Sequence, residues 1–147
     1  MALAFDRDEL TAYLAEVFPQ VRDDFVIDAL AEDHLTLRLR TSERHLRPGG
    51  TVSGPSMFAL ADCAVYAMVL ARVGRQALAV TTGCSMDFMR KPEGGADMLG
   101  RCRLLKLGRT LAVGDVLLYS EGAEKPVARA TMTYSIPPAG SAAARAG

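Results

Sequence analysis

The segment GGTVSGPSMFALADCAVYAMVLARV, residues 49–73, begins as a glycine-rich loop and continues as an almost wholly apolar run. Pro55 suits the first turn of a helix, because the N–H groups there have no intrahelical acceptor and proline has none to leave unpaired. Gly54 or Ser53 would cap that helix, and Gly74 would end it. Because a helix that is apolar on every side must be covered, the segment predicts one helix buried inside the fold.

One acidic residue, Asp62, interrupts this apolar run. Removing a carboxylate from water is costly unless it is hydrogen-bonded or paired. Either Asp62 has a structural partner, such as loop backbone or Arg47, or its unusual setting serves a reaction. The run at 55–73 is near the length of a membrane span. Asp62 and Arg72 within it, and the lack of aromatic residues on both flanks, favour the core of a water-soluble protein instead.

Length and composition predict a single domain. At 147 residues the chain suits one domain, which we place at residues 1–136, followed by a flexible tail at 137–147. Half of the residues are hydrophobic and 23% are charged, which is typical of a globular core. The 17 basic and 17 acidic residues give a net charge of +0, so there is no excess of positive charge to bind nucleic acid.

Cysteine usage and the N-terminus indicate a compartment. Cys63, Cys84 and Cys102 are odd in number and widely spaced, without a CxxC pair. This argues against a disulfide framework or a zinc site and favours a reducing environment. The first 18 residues carry acidic residues early and lack the basic region and apolar core of a signal peptide. We therefore expect a cytoplasmic protein without a membrane partner.

Segments on both sides of the apolar run show helix and strand patterns. Asp6 is a candidate N-cap for a first helix, with Glu9 three residues later as in a capping box. From residue 34 to residue 40, leucines alternate with polar residues, which indicates a strand with one face on a core. Further strands are predicted at residues 25–30, 77–90, 98–107, 111–120 and 127–136.

The predicted order is a helix, two strands, the buried helix and four strands. Strands that follow one another through short turns favour an antiparallel meander. One sheet of about six strands, wrapped around the apolar helix, would cover that helix and make an α+β fold. The remaining edge or face of such a sheet needs a cover. A homodimer, or a tetramer built from paired dimers, would supply one.

The region around Asp62 resembles a known signature. Residues 47–64 are similar to the motif N-x-x-G-x-x-H-G-G-x-x-x-x-L-x-D-x-A of the hotdog-fold acyl-CoA thioesterases, in particular the phenylacetate-pathway (PaaI-like) group. Segments 80–90 and 106–110 are similar to that family's later strand and hairpin, and the likeness spans about residues 25–136. The matching motif positions are Gly50, Gly54, Leu60, Asp62 and Ala64.

This resemblance implies an activity and roles for several residues. The family hydrolyses acyl-CoA thioesters without a metal or redox cofactor, and Asp62 falls at its catalytic acid. The thioester carbonyl oxygen would rest on the Gly54 N–H, and Asp62 of the facing subunit would attack the carbonyl or activate water. Ser53 stands where the family has histidine and would be a neutral hydrogen-bond donor. Arg47 stands where the family has asparagine.

The resemblance also implies contacts to the rest of the substrate. Thr81 or Thr82 lies where some relatives carry a hydroxyl residue that orients water. Cations at turns suit phosphate groups, which they contact as point charges or as bidentate donors. The candidate residues for binding coenzyme A are Arg90, Lys91, Gly108, Arg109 and Thr110.

Two other functions are compatible with these residues. An enoyl-CoA hydratase or dehydratase can use the same fold, but that reaction needs a histidine paired with an acid. His45 is the available histidine, and as a lone loop residue it is predicted to lie on the surface. The second alternative is a non-catalytic acyl-CoA binder, which the serine at position 53 favours. One scaffold carries several activities, so the fold alone does not decide among them.

Overall fold

The computed structural model describes residues 2–138, so most of the predicted flexible tail lies outside the described residues. This part of the chain contains two α-helices, six strands and two short 3-10 turns, at Pro19–Val21 and Glu43–His45. The helices and strands in chain order are α1 (Arg7–Val17), β1 (Phe25–Leu30), β2 (His34–Leu39), α2 (Gly54–Val73), β3 (Val80–Phe88), β4 (Met98–Leu107), β5 (Leu111–Ser120) and β6 (Ala128–Ser135).

The six strands form one antiparallel sheet in the order β1-β2-β4-β5-β6-β3. Helix α2 packs across one face of the sheet, chiefly against β2, β4 and β5, and α1 packs against β1 and α2. The alternation predicted for β2 is confirmed, since Leu35, Leu37 and Leu39 are buried. The predicted α+β fold, a six-stranded sheet around one long helix, is therefore confirmed.

Local capping interactions determine where the helices begin and where α2 ends. The Asp6 carboxylate accepts a hydrogen bond from the Glu9 N–H, and the Glu9 carboxylate accepts one from the Asp6 N–H, so the predicted capping box forms. Ser53 caps α2, and Gly74 ends it with a φ of 87°, in the left-handed region that favours glycine. Because α2 begins at Gly54, the Gly54 N–H belongs to the first turn and has no intrahelical acceptor.

The predicted meander is wrong for β3. Strands β4, β5 and β6 are successive neighbours, but β3 pairs with β6 and lies at an edge of the sheet. The physical reason is that β2 and β5 already occupy the two sides of β4, so β3 has no place beside it. Within the described chain, the outer side of β3 therefore carries N–H and C=O groups without strand partners.

Helix α2 is long and apolar enough to cross a membrane by length and composition alone, with a mean hydropathy of 1.6 over an 18-residue window. Within the described structure, however, 61% of that window is buried. Leu60, Val65 and Leu70 have no exposed area. The helix thus occupies the predicted core position.

Candidate active site

Asp62 lies on α2, close to the start of β3 and the end of β6. Its Oδ1 accepts two hydrogen bonds, from Thr81 Oγ1 at 2.5 Å and from Tyr134 Oη at 2.7 Å. Tyr134 Oη also lies 3.1 Å from the Asp62 backbone carbonyl oxygen. Oδ2 makes no hydrogen bond to any described residue. One carboxylate oxygen is therefore anchored and the other is available.

A cavity of about 270 Å³ lies beside this carboxylate. Burial, with a further effect of the Asp62 charge, raises the pKa of Tyr134, so the phenol stays protonated and donates its hydrogen. The wall of the cavity is mostly apolar. The residues that line it are Val17, Phe18, Asp62, Cys63, Tyr66, Ala77, Ala79, Val80, Thr81 and Tyr134.

Cys63 lies on the cavity wall next to Asp62 in sequence. Burial, and then the Asp62 charge, raise the pKa of its thiol to about 12. A protonated thiol is a poor nucleophile, so Cys63 is poorly suited to covalent catalysis in this cavity. Within residues 2–138, no cluster of three or more His, Cys, Asp or Glu side chains that would hold a metal ion occurs.

The two threonines predicted from the sequence have different surroundings. Thr81 bonds Asp62, whereas Thr82 is exposed and directs its hydroxyl to a backbone carbonyl of β6 at 3.4 Å. The Arg47 side chain is exposed, and only its backbone is engaged, in the loop before α2. The partners of Asp62 are therefore Thr81 and Tyr134 rather than Arg47.

The sequence patterns did not single out Tyr134. It belongs to the inward-facing set of β6, together with Ala128, Ala130 and Met132, all of them buried. A tyrosine among such residues indicates core packing. The available signal was its hydroxyl, because a buried phenol usually finds a hydrogen-bond partner, and Asp62 is the acidic residue of the helix that this sheet covers.

Gly54 and Ser53 form the start of α2. Ser53 Oγ accepts a hydrogen bond from the Ser56 N–H at 3.3 Å and donates to Ser56 Oγ at 3.1 Å, so its hydroxyl is engaged within the helix. The Gly54 N–H has no acceptor among the described residues. A methyl group on Gly54 would meet the Phe88 ring at 3.6 Å, which is an ordinary contact. The packing of the single chain therefore does not require glycine at this position.

The free N–H and the carboxylate are far apart in one chain. Eight residue steps along the helix separate Gly54 from Asp62, which corresponds to about 12 Å along the axis. Strand β3 runs beside the helix, with Phe88 near Gly54 and Thr81 near Asp62. Seven residue steps of strand separate Thr81 from Phe88 by about 24 Å, so these two residues contact α2 from opposite ends of β3.

The candidate phosphate ligands are divided between the same two ends. Arg90 and Lys91 follow the C-terminal end of β3, where they are exposed and line a shallow cavity of about 350 Å³. Lys125, which the sequence patterns did not single out, lies on the same cavity. The turn at 108–110, with Arg109 exposed, lies at the opposite end, because β6 residue Ser135 pairs with the first residues of both β3 and β5.

His45 is buried, so its predicted position on the surface is wrong. Only 6% of the residue is exposed, because the turn Glu43–His45 folds the ring inwards against the start of α2. Nδ1 accepts a hydrogen bond from the Ser42 N–H at 2.9 Å, and Nε2 lies 3.4 Å from Asp24 Oδ1. Burial, and then the nearby Arg44, lower the pKa of the ring. His45 does not line the cavity beside the carboxylate.

The six-stranded antiparallel sheet wrapped around the long helix α2 is a hotdog fold. The family model described as the thioesterase superfamily matches residues 49–127, which include α2, β3, β4 and β5. The chain belongs to the thioesterase superfamily and is PaaI-like.

Known relatives agree with this membership. A solved structure of a candidate thioesterase from Silicibacter sp. TM1040 is 72% identical, covers 94% of this chain and 96% of that one, and has a TM-score of 0.89. The phenylacetic acid degradation protein PaaI from Thermus thermophilus, solved as a mutant, is 29% identical over 81% of this chain and 99% of that one, with a TM-score of 0.69. A candidate esterase from Pseudomonas aeruginosa is 33% identical over 108 residues, 73% of this chain and 78% of that protein.

A more distant structure shares the fold. A Streptococcus mutans protein solved with bound acetyl CoA is 24% identical, covers 77% of this chain and 88% of that one, and has a TM-score of 0.68.

Proposed function

We propose that the protein is an acyl-CoA thioesterase that acts as a homodimer, with Asp62 as nucleophile or general base. Membership of the superfamily supports a hydrolase of thioesters. The observation that carries the proposal is the Asp62 carboxylate, with Oδ1 anchored by Thr81 and Tyr134 and Oδ2 free beside a cavity. Because Thr81 and Tyr134 hold the side chain through Oδ1 alone, Oδ2 can meet a ligand in the cavity without loss of either hydrogen bond.

Two routes use the free oxygen. In the first, Oδ2 attacks the thioester carbonyl carbon, the coenzyme A thiolate leaves, and water hydrolyses the resulting acyl-aspartyl anhydride. In the second, Oδ2 takes a proton from water as the water attacks the same carbon, the C–S bond then breaks, and the proton passes to the departing coenzyme A thiolate. Both routes yield the free acid and coenzyme A. In both routes, the two hydrogen bonds to Oδ1 hold the Asp62 side chain in place.

A single chain lacks the complete site. A bound carbonyl oxygen must lie about 3 Å from its N–H donor, and the attacking atom about 3–3.5 Å from the carbonyl carbon. The separation of about 12 Å between Gly54 and Asp62 within one helix is too large for both contacts. A second copy paired antiparallel along β3 solves this, because it places the Gly54 end of one subunit opposite the Asp62 end of the other.

The free edge of β3 supports such a dimer. Apolar side chains along it are exposed, including Val80 at 56% and Phe88 at 54%. Met89, Phe58 of α2 and Leu78 are exposed as well. An exposed apolar edge strand is a template for pairing, and a second copy on a two-fold axis is the commonest partner. The pairing of dimers into a tetramer remains a prediction.

The same arrangement would bring arginine and lysine side chains of both subunits close to one site. Antiparallel pairing brings Arg90 and Lys91 of one subunit towards Arg109 and Asp62 of the other, so cations from both chains would surround one thioester. Coenzyme A carries phosphates that arginine and lysine suit. The acetyl CoA held by the Streptococcus mutans structure supports a coenzyme A ester as the ligand.

Release of the coenzyme A thiol tests the proposal. The purified protein is incubated with short, medium and aryl acyl-CoA esters, and the free thiol is followed with a chromogenic reagent. We expect turnover of at least one class. Binding of the esters without thiol release would contradict the thioesterase and support the acyl-CoA binder.

The hydratase alternative has an observation in its favour, because His45 lies near the acid Asp24. Both residues are buried, however, and Nδ1 of His45 already accepts a hydrogen bond from Ser42. A hydratase would consume the enoyl absorbance of an unsaturated acyl-CoA without releasing thiol. We expect no such change.

Thr81→Val is expected to lower kcat/KM for thioester hydrolysis by about tenfold or more, because a hydrogen bond to a charged group contributes roughly 1.5–3 kcal/mol. The matched control is Thr82→Val, the same change one residue later, where the hydroxyl does not contact Asp62. Kinetics of the two variants and wild type give the comparison. Equal effects of both changes would mean that Thr81 does not position the carboxylate.

Cys84 is expected to form a disulfide between subunits on mild oxidation. It is exposed and lies at the middle of β3, so symmetric pairing places the two copies within the roughly 4.4–6.8 Å between Cα atoms that a disulfide spans. Non-reducing electrophoresis would show the linked dimer, and Cys84→Ser would abolish it. Linkage that persists in Cys84→Ser would contradict this pairing.

A further inference from the structure

A second cavity adjoins the one beside Asp62. It has a volume of about 80 Å³ and lies between α1, β1, β2 and α2. Phe18, Cys63 and Tyr66 line both cavities. Cavities that share three wall residues are neighbours. One lies beside the carboxylate, and the other lies in the interior beneath α1.

The inner cavity offers a ligand few polar groups. The Thr11 hydroxyl donates to a backbone carbonyl of its own helix at 2.8 Å, and Tyr66 Oη donates to the Ala77 carbonyl at 2.6 Å. The Cys63 thiol stays neutral. Arg22 lies at the exposed rim. Hydrocarbon side chains make up the rest of the wall, among them Leu14, Ala15, Phe18, Phe25, Ile27 and Leu37.

We propose that this inner cavity, the acyl cavity, receives the tail of the thioester, and that the tail is uncharged, apolar and about five non-hydrogen atoms long beyond the carbonyl carbon. The proposal rests on the proposed function. A volume of about 80 Å³ equals roughly five to eight of the spheres of 10–15 Å³ that one water needs. Polar atoms that are already hydrogen-bonded within the chain give a polar tail no partner, so such a tail would lose its hydration without compensation.

Phe18 separates the two cavities. Its ring meets the Tyr66 ring edge-on, with 6.0 Å between centroids. A tail attached to a carbonyl at Asp62 would reach the acyl cavity past Phe18 and Cys63, which line both cavities. The residues of α1 that close the far side, Leu14 and Ala15, then set the length of tail that fits.

Filling the cavity from α1 tests the proposal. Ala15→Phe is expected to lower kcat/KM for hexanoyl-CoA at least tenfold while acetyl-CoA changes less than about twofold, because each buried methylene is worth about fourfold in affinity. The matched control is Ala12→Phe, the same change on the exposed side of α1. Leu14→Ala enlarges the cavity instead and is expected to shift the preference from hexanoyl to octanoyl. If Ala15→Phe does not fold, Leu14→Ala alone decides.

Three results would overturn the proposal. The first is an unchanged tail-length profile in the folded Ala15→Phe or Leu14→Ala variant. The second is faster cleavage of adipoyl-CoA than of hexanoyl-CoA, which would mean that the tail is charged and reaches Arg22. The third is equal binding of hexanoyl-CoA and free coenzyme A, measured by calorimetry on the Asp62→Asn variant. We expect at least tenfold tighter binding of the ester.

The binding comparison separates this proposal from the function on which it rests. If wild type cleaves no ester, the thioesterase proposal fails. The acyl cavity is then judged by whether wild type binds hexanoyl-CoA more tightly than coenzyme A and loses that difference in Ala15→Phe. If wild type cleaves esters with no effect of Ala15→Phe, the thioesterase stands and the acyl cavity fails.

Discussion

Replacing Asp62 with asparagine is expected to lower kcat for thioester hydrolysis by about a thousandfold, within the roughly 10²–10⁴ that a positioned acid or base contributes. The amide supplies neither an attacking oxygen nor a base. Both hydrogen bonds to the carboxylate reach Oδ1, so an asparagine oxygen can still accept from Thr81 and Tyr134. The new NH₂ group replaces Oδ2, which has no partner among the described residues. The fold should therefore persist.

The measurement combines thiol release with thermal unfolding. A matched control is Asp23→Asn, the same chemical change at an exposed carboxylate on the loop before β1. We expect wild-type kinetics for the control and an unfolding midpoint close to wild type for both variants. Unchanged turnover in Asp62→Asn would refute the carboxylate mechanism. A large drop in the unfolding midpoint would instead indicate that Asp62 stabilises the fold.

Local signals explain how much of the fold the sequence predicts. The bounds predicted for β1, β4 and β5 match the structure, because each strand is flanked by turn residues and shows its own pattern. The capping box at Asp6 and Glu9 and the glycine at residue 74 are equally local. The neighbour of β3 is not a local property. It depends on which strand edges are already occupied, and this is decided by strands distant in the chain.

The site residues show the same difference between what local sequence signals indicate and what distant contacts decide. Asp62 is conspicuous in the sequence because a carboxylate within an apolar helix needs compensation. Its compensating partner Tyr134 lies 72 residues away and has the pattern of a core residue. The burial of His45 follows from the packing of its turn against other elements. The sharing of the site between two subunits was implied by the family resemblance, and the helical rise of about 12 Å between Gly54 and Asp62 is compatible with it.

Two inactive variants are expected to restore activity when they share one dimer. In the proposed site, Asp62 of one subunit faces the Gly54 N–H of its partner, so Asp62→Asn and Gly54→Pro disable opposite halves. Their heterodimer contains one site with both changes and one site with neither. It should therefore have about half of the wild-type activity, as expected for one intact site of two in a two-fold symmetric dimer.

Gly54→Pro is chosen because it removes the N–H without disturbing the start of α2. Proline is favoured in the first helical turn. Ser53, which would precede it, has φ −74° and ψ 156°, within the region that a residue before proline adopts. The added Cβ would meet the Phe88 ring at 3.6 Å, an ordinary contact distance. Loss of one oxyanion donor typically lowers the rate by about 10²–10³.

A second heterodimer serves as the control, since it holds the same substitutions in a different arrangement. One subunit is wild type and its partner carries both Asp62→Asn and Gly54→Pro. With two purification tags, each heterodimer is isolated and its thiol release is measured. A site shared between subunits leaves this second heterodimer without an intact site, so it should be inactive while the first is active. A site contained in one chain would reverse the two results, because the wild-type subunit would then work alone.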